Sequence, residues 1–212
     1  MQSITVTELS KAFRNVSDLM DQESEKLCEM DAFMGDGDLG LTMKKGFAAF
    51  SAAYDEQDGV EEIGKRIVKA SMKMASAVPS TMGTLMSSAF MSGGMKIPNE
   101  KQVDAQGFRL FLNGMCEGIA KRGKCQRGDR TVLDTFASSC DAVNALDANE
   151  SLEEILQTAT KGAEEGAERT KEMVPKYGKA LVHKDKALGV IDQGAYCGCL
   201  FIKALCDADN YK

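Results

Sequence analysis

Apolar positions recur at helical spacing along almost the whole chain. Leu9, Phe13, Val16, Met20 and Leu27 fall three, four or seven residues apart. They predict a helix from Val6 to Met30, opened by the capping box Thr5-x-x-Glu8. A second amphipathic stretch runs from Leu41 to Tyr54. A third runs from Gly59 to Ala77, with Ile63, Ile67, Ala70 and Met74 on one face. Pro79 interrupts the pattern, and a short apolar helix resumes from Gly83 to Met91. Phe108, Phe111, Leu112, Met115 and Ile119 stripe a helix over Gly107 to Arg122. Thr131 to Ala145 is the sixth, and Ser151-x-x-Glu154 caps a seventh that runs to Val174. Leu200, Phe201, Ala204 and Leu205 mark the eighth.

Alternating strand patterning is confined to Ala180–Val182. With three prolines and no long polar linker, residues 1–212 read as a single all-α domain, an eight-helix bundle. Many glycines lie inside the helical patterns, Gly64, Gly93, Gly94, Gly114, Gly118, Gly162 and Gly166 among them. They cost helix propensity, so they are expected where helices approach closely or end.

Composition narrows the class. Hydrophobic residues at 43% and charged residues at 27% are globular values. Lys+Arg 26 against Asp+Glu 32 leaves a net charge of −6, which argues against a nucleic-acid module. No apolar run is long enough to span a bilayer, and the opening MQSITVTELS lacks the features of a secretory signal. The seven cysteines are odd in number and contain no C-x-x-C pair, so buried thiols in a reducing cytoplasm are expected.

Two motif matches fail on context. Gly35-x-Gly37-x-x-Gly40 has the spacing of a dinucleotide fingerprint, but a charged helical segment precedes it and two aspartates lie inside it. Gly118 to Cys125 is one residue short of a phosphate-binding loop and ends in cysteine where a hydroxyl is needed. His183 is the sole histidine, so any Ser-His-Asp triad would depend on it. Its flanks, Val182 and Lys184, suggest a surface position.

Asp31, Asp36 and Asp38 fall within eight residues, at a helix end and in a glycine-hinged turn. Calcium of the EF-hand kind is excluded, because Gly40 and Phe47 stand where ligands are required. Three ionised carboxylates held together repel by about 4 kcal/mol per pair at ~4 Å and an effective dielectric near ~20. Either a cation intervenes, for which magnesium suits oxygen-only ligands, or the segment is a solvated turn capping the next helix. The Gly128-Asp129-Arg130-Thr131 turn, with Asp129 as cap, and Asp192-Gln193-Gly194 each lead into a helix. Helix N-termini are where phosphates dock, and several such turns could converge at one end of a bundle.

In order, Asp31-x-x-x-Gly35-Asp36-Gly37-Asp38-x-Gly40, Gly83-x-Leu85, Gly123, Gly128-Asp129-Arg130-Thr131-x-Leu133-Asp134, Gly178-Lys179-Ala180 and Asp192-x-Gly194-Ala195 span essentially the whole chain. This pattern resembles the nucleotide-binding L subunit of bacterial dihydroxyacetone kinases. The resemblance implies an eight-helix antiparallel barrel with the nucleotide at one end. It implies two magnesium ions held by Asp31, Asp36 and Asp38. ADP or ATP would be contacted by Leu39, Gly40, Leu41, Thr42, Thr81, Met82, Gly123, Val132, Lys179, Asp192, Gln193 and Gly194.

In members linked to the phosphotransferase system, bound ADP is rephosphorylated by a phosphocarrier M subunit. The phosphoryl group then passes to dihydroxyacetone on a separate K subunit. No catalytic side chain is required of this chain, and a cytoplasmic location follows. The chain departs from the pattern at Leu39 and Thr42, where histidine and asparagine are usual. It departs again at Met82-Gly83-Thr84 for a serine–glycine–proline turn, at Lys179 for arginine and at Gln193 for proline. Lys179 keeps a positive charge and loses the bidentate fork. Two other readings follow from these departures: an ATP-dependent kinase subunit for a related ketose, and a non-catalytic nucleotide-sensing regulatory partner.

Overall fold

The computed structural model describes residues 2–57, 59–98 and 100–212, and only the backbone of residues 182–185. Helices α1 (Val6–Gln22), α2 (Ser24–Met34), α3 (Leu39–Asp55), α4 (Ile63–Ala77) and α5 (Thr81–Lys96) form the first half. Then come α6 (Ala105–Gly123), α7 (Val132–Asn144), α8 (Leu152–Arg169), the single turn α9 (Lys184–Ala187) and α10 (Gln193–Leu205). Each long helix except α2 packs on the next around a closed ring: α1, α3, α4, α5, α6, α7, α8, α10 and back to α1. All-α architecture and the eight-membered ring agree with the sequence reading. None of the described helices is long and apolar enough to cross a membrane.

The first expected helix is two. The backbone turns at Glu23 (φ −87°, ψ 2°), although Leu27 continues the spacing of Met20. Tyr196 of α10 donates its hydroxyl to Glu23 at 3.0 Å, and Lys26 lies 4.5 Å over the same ring. A partner distant in sequence therefore holds the break. Beyond it, α2 leaves the ring and leans on α3 and α10.

The strand signal also moves. Ala180–Val182 lies in a 3-10 turn, Lys179–His183, while two three-residue strands, β1 (Ser3–Thr5) and β2 (Gln102–Asp104), pair antiparallel. Ile4 and Val103 are buried opposite one another. Thr5 and Asp104, the last strand residues, are the N-caps of α1 and α6. The helix after Ser151 stops at Arg169, short of Val174.

The ring closes on aromatic side chains. Phe90 of α5 stacks on Phe50 of α3 at 3.9 Å between centroids and meets Phe201 of α10 edge-on at 5.3 Å. Phe13, Phe47 and Phe136 complete the cluster. Between α5 and α6 the approach is closer than any side chain permits: a Cβ on Gly114 would lie 2.8 Å from the Gly93 Cα. Five of the seven cysteines are buried and none is in a disulfide, as expected.

Candidate functional site

The loop between α2 and α3 folds around one carboxylate. Asp31, in the last turn of α2, is buried, and its Oδ2 accepts the backbone N–H groups of Gly37 (2.9 Å) and Asp38 (3.1 Å). A buried carboxylate needs such donors to replace the water it has lost. These bonds wrap the loop so that carboxylate oxygens of Asp31, Asp36 and Asp38 all lie within 4.8 Å of one another. Asp38 is the N-cap residue of α3, yet its side chain makes no capping hydrogen bond. Capping therefore does not account for its carboxylate, and the three oxygens form a hard donor set that could hold a divalent cation.

The cluster forms one side of a cleft of about 510 Å³. Of the residues that the resemblance names, Asp31, Asp36, Asp38, Leu39, Thr42, Thr81, Met82, Val132, Lys179, Asp192, Gln193 and Gly194 line it. Four helices begin there: α3, α5 capped by Ser80, α7 capped by Thr131 and α10 capped by Asp192. Their positive dipole ends and spare N–H groups make the cleft a place for anions, next to the three carboxylates. Convergence of the turns, open in the sequence, is thus realised.

Three expected residues are not in the lining. Leu41 points to solvent at 64% exposure. Helical geometry explains this: Leu39 and Thr42, three apart, share the cleft face, and the positions between them turn away. Gly40 packs α3 onto α2, where a Cβ would meet the Ser24 carbonyl oxygen at 1.8 Å. Gly123 sits behind Leu85, whose Cδ2 would be 3.1 Å from its Cβ. The His183 side chain lies outside the described residues.

Arg130 also lines the cleft and was absent from the expected site residues. It is buried in the left-handed region (φ 61°), uncommon for a residue with a side chain. Its guanidinium pairs with Asp192 at 3.3 Å and donates to the carbonyls of Val190 (2.9 Å) and Ala187 (3.3 Å). It thereby fastens the segment between α8 and α10 over the start of α7. Burial pushes the Asp192 carboxyl up to about 6, against the pull of the Ala195 N–H and the Arg130 guanidinium.

Asp129 is not the cap expected of it. Thr131 caps α7, with Asp134 completing the capping box, while Asp129 accepts from the Gln126 N–H and from Lys176 at 2.8 Å. Tyr177, another lining residue not foreseen, donates its hydroxyl to the Lys124 carbonyl at 2.7 Å. Lys179 reaches the acid cluster and pairs with Asp36, which holds that carboxyl below its ordinary value. Both partners are more than half exposed, and such pairs are easily broken. Ser80 and Tyr177 carry no marker in the sequence, whereas Leu85 belongs to the Gly83-x-Leu85 part of the pattern. Gly128, two residues before Arg130 in a turn entering a helix, was the signal available for Arg130.

Known proteins resemble this chain along nearly its whole length. The model of the DAK2 domain matches residues 33–207. An ADP-binding subunit DhaL of a PEP-dependent dihydroxyacetone kinase from Listeria innocua is 27% identical, over 87% of this chain and 87% of its own. An L-erythrulose 1-kinase of Mycolicibacterium smegmatis is 32% identical over 87% of this chain, which spans only 32% of that enzyme. The dihydroxyacetone kinase of C. freundii, solved in complex with AMP-PNP and Mg2+, superimposes with a TM-score of 0.68 at 23% identity. That match covers 94% of this chain and 33% of the kinase.

Proposed function

The chain belongs to the DAK2-domain family, and on that premise we propose that it is the ADP-binding subunit of a dihydroxyacetone kinase. One observation carries this reading: three clustered carboxylates and four helix N-termini open on the same cleft. In this reading the domain extends over residues 1–212 and works in the cytoplasm. A phosphocarrier M subunit supplies the phosphoryl group, and a separate K subunit holds the dihydroxyacetone that receives it. A second reading, a kinase subunit for a four-carbon ketose, rests on the resemblance to the L-erythrulose 1-kinase.

The donor set suits the metal. Asp31, Asp36 and Asp38 would hold two magnesium ions, which neutralise phosphate charge when bound. Phosphoryl transfer asks a protein for positioning and charge more than for a nucleophile, and the residues here match that demand. Asp31 is held in place by the backbone N–H groups of Gly37 and Asp38. The first turns of α5, α7 and α10 present N–H groups to an anion. Leu39, Met82, Leu85 and Val132 give the cleft an apolar wall suited to a nucleoside.

Native mass spectrometry of protein purified without added nucleotide tests the reading. Retained ADP with two magnesium ions is the expected result. An empty chain that transfers no phosphoryl group when K and M subunits are supplied would favour a regulatory role instead.

Lys179 gives a second test. Its ammonium stands at the cluster and is cheaply released from Asp36, so a phosphate can take it over. Lys179→Ala is expected to weaken ADP binding about tenfold or more, and Lys179→Arg to preserve it. Calorimetry showing both variants within twofold of wild type would remove Lys179 from the site.

A further inference from the structure

Asp31 has a third donor besides the loop. The Gln193 Nε2 lies 3.2 Å from its Oδ1, the oxygen not taken by Gly37 and Asp38. A carboxylate can only accept, so the amide must present its nitrogen. Two bonds to a single oxygen leave a carboxyl free to pivot about that oxygen. A third contact fixes the direction of the other one.

Gln193 is itself firmly seated. It is the first residue of α10, directly after the buried Asp192. Asp192 is held by Arg130 (3.3 Å), by the Ala195 N–H (2.9 Å) and by its own N–H on the Thr170 hydroxyl (2.9 Å). The amide therefore reaches the acid cluster from a fixed helix end. Gly35 leaves the space that Oδ1 occupies, since a Cβ there would come within 2.6 Å of it.

We propose that Gln193 is a positioning residue for the cation site: its amide orients Asp31 Oδ1 toward the ion and couples the start of α10 to the cluster. The inference rests on the reading of Asp31, Asp36 and Asp38 as magnesium ligands. Hydrogen-bond partners of metal-binding side chains typically contribute ten- to a hundredfold in affinity. Gln193→Met keeps length and shape without the donor. Gln193→Pro removes the side-chain reach at the first helical position, where proline is tolerated.

The test is manganese binding to the full chain after EDTA dialysis, read from the free-ion signal in electron paramagnetic resonance. Both variants are expected to bind manganese about tenfold more weakly than wild type. Their melting temperatures in EDTA are expected within about 2 °C of it. If wild type binds and Gln193→Met matches it, the side chain only fills space and the inference falls, while the metal reading stands. If wild type itself binds no manganese, both fall. A large drop in melting temperature in EDTA that accompanies the lost affinity would also overturn the inference, by making Gln193 a folding residue.

Discussion

Asp36→Asn and Asp38→Asn are each expected to lower phosphoryl transfer and retention of Mg–ADP by about a hundredfold or more, with the fold intact. Both side chains stand at the surface, and neither caps a helix. Losing one charge therefore costs the helices nothing that circular dichroism would detect. It removes one of three oxygen donors from a shared cation site. Without the ion, the remaining carboxylates face the phosphates at close range in a partly enclosed cleft, where like charges repel strongly. Calorimetry with ADP and magnesium, beside a melting curve, separates the two effects. Wild-type affinity in either variant would show that the cluster is a solvated turn.

Phe90→Ala is expected to destabilise the chain by about 3–5 kcal/mol. Phe90 is fully buried and meets rings from α1, α3 and α10, so the cavity would open where the ring of helices closes on itself. Neighbours drawn from three helices cannot collapse into the gap together without moving backbone. For a chain of this size the melting temperature should fall by about 6–20 °C in scanning calorimetry. A fall of about 2 °C or less would mean that the aromatic cluster is loosely packed and that the ring is held elsewhere. Because α5 also starts at the cleft, the same variant is expected to release nucleotide before it unfolds completely.

Much of this was legible in the chain because it is local. A stripe such as Leu9, Phe13, Val16 and Met20 repeats within a few turns, and the capping box of Thr5 and Glu8 is complete in four residues. The acid cluster was legible for the same reason, since Asp31, Asp36 and Asp38 are brought together by one short loop. The resemblance to dihydroxyacetone kinase L subunits named half of the remaining lining, from Leu39 to Gly194. Gly40, Leu41 and Gly123, which it also named, lie outside that lining, because the direction in which a residue faces decides whether it lines the cleft.

The tertiary structure alone decided the rest. Glu23 breaks the first helix because Tyr196, 173 positions away, takes its carboxylate, and no local pattern encodes such a contact. The pairing of Ser3–Thr5 with Gln102–Asp104 involves strands too short to show an alternating pattern. Arg130 becomes a buried staple only once Ala187, Val190 and Asp192 have come round to meet it. Gln193 faces Asp31 because α2 and α10 are packed together. Helix periods and loop ligands are properties of neighbours in the chain, and the sequence determined them. Which helix end meets which carboxylate depends on how the whole ring buries its aromatic core.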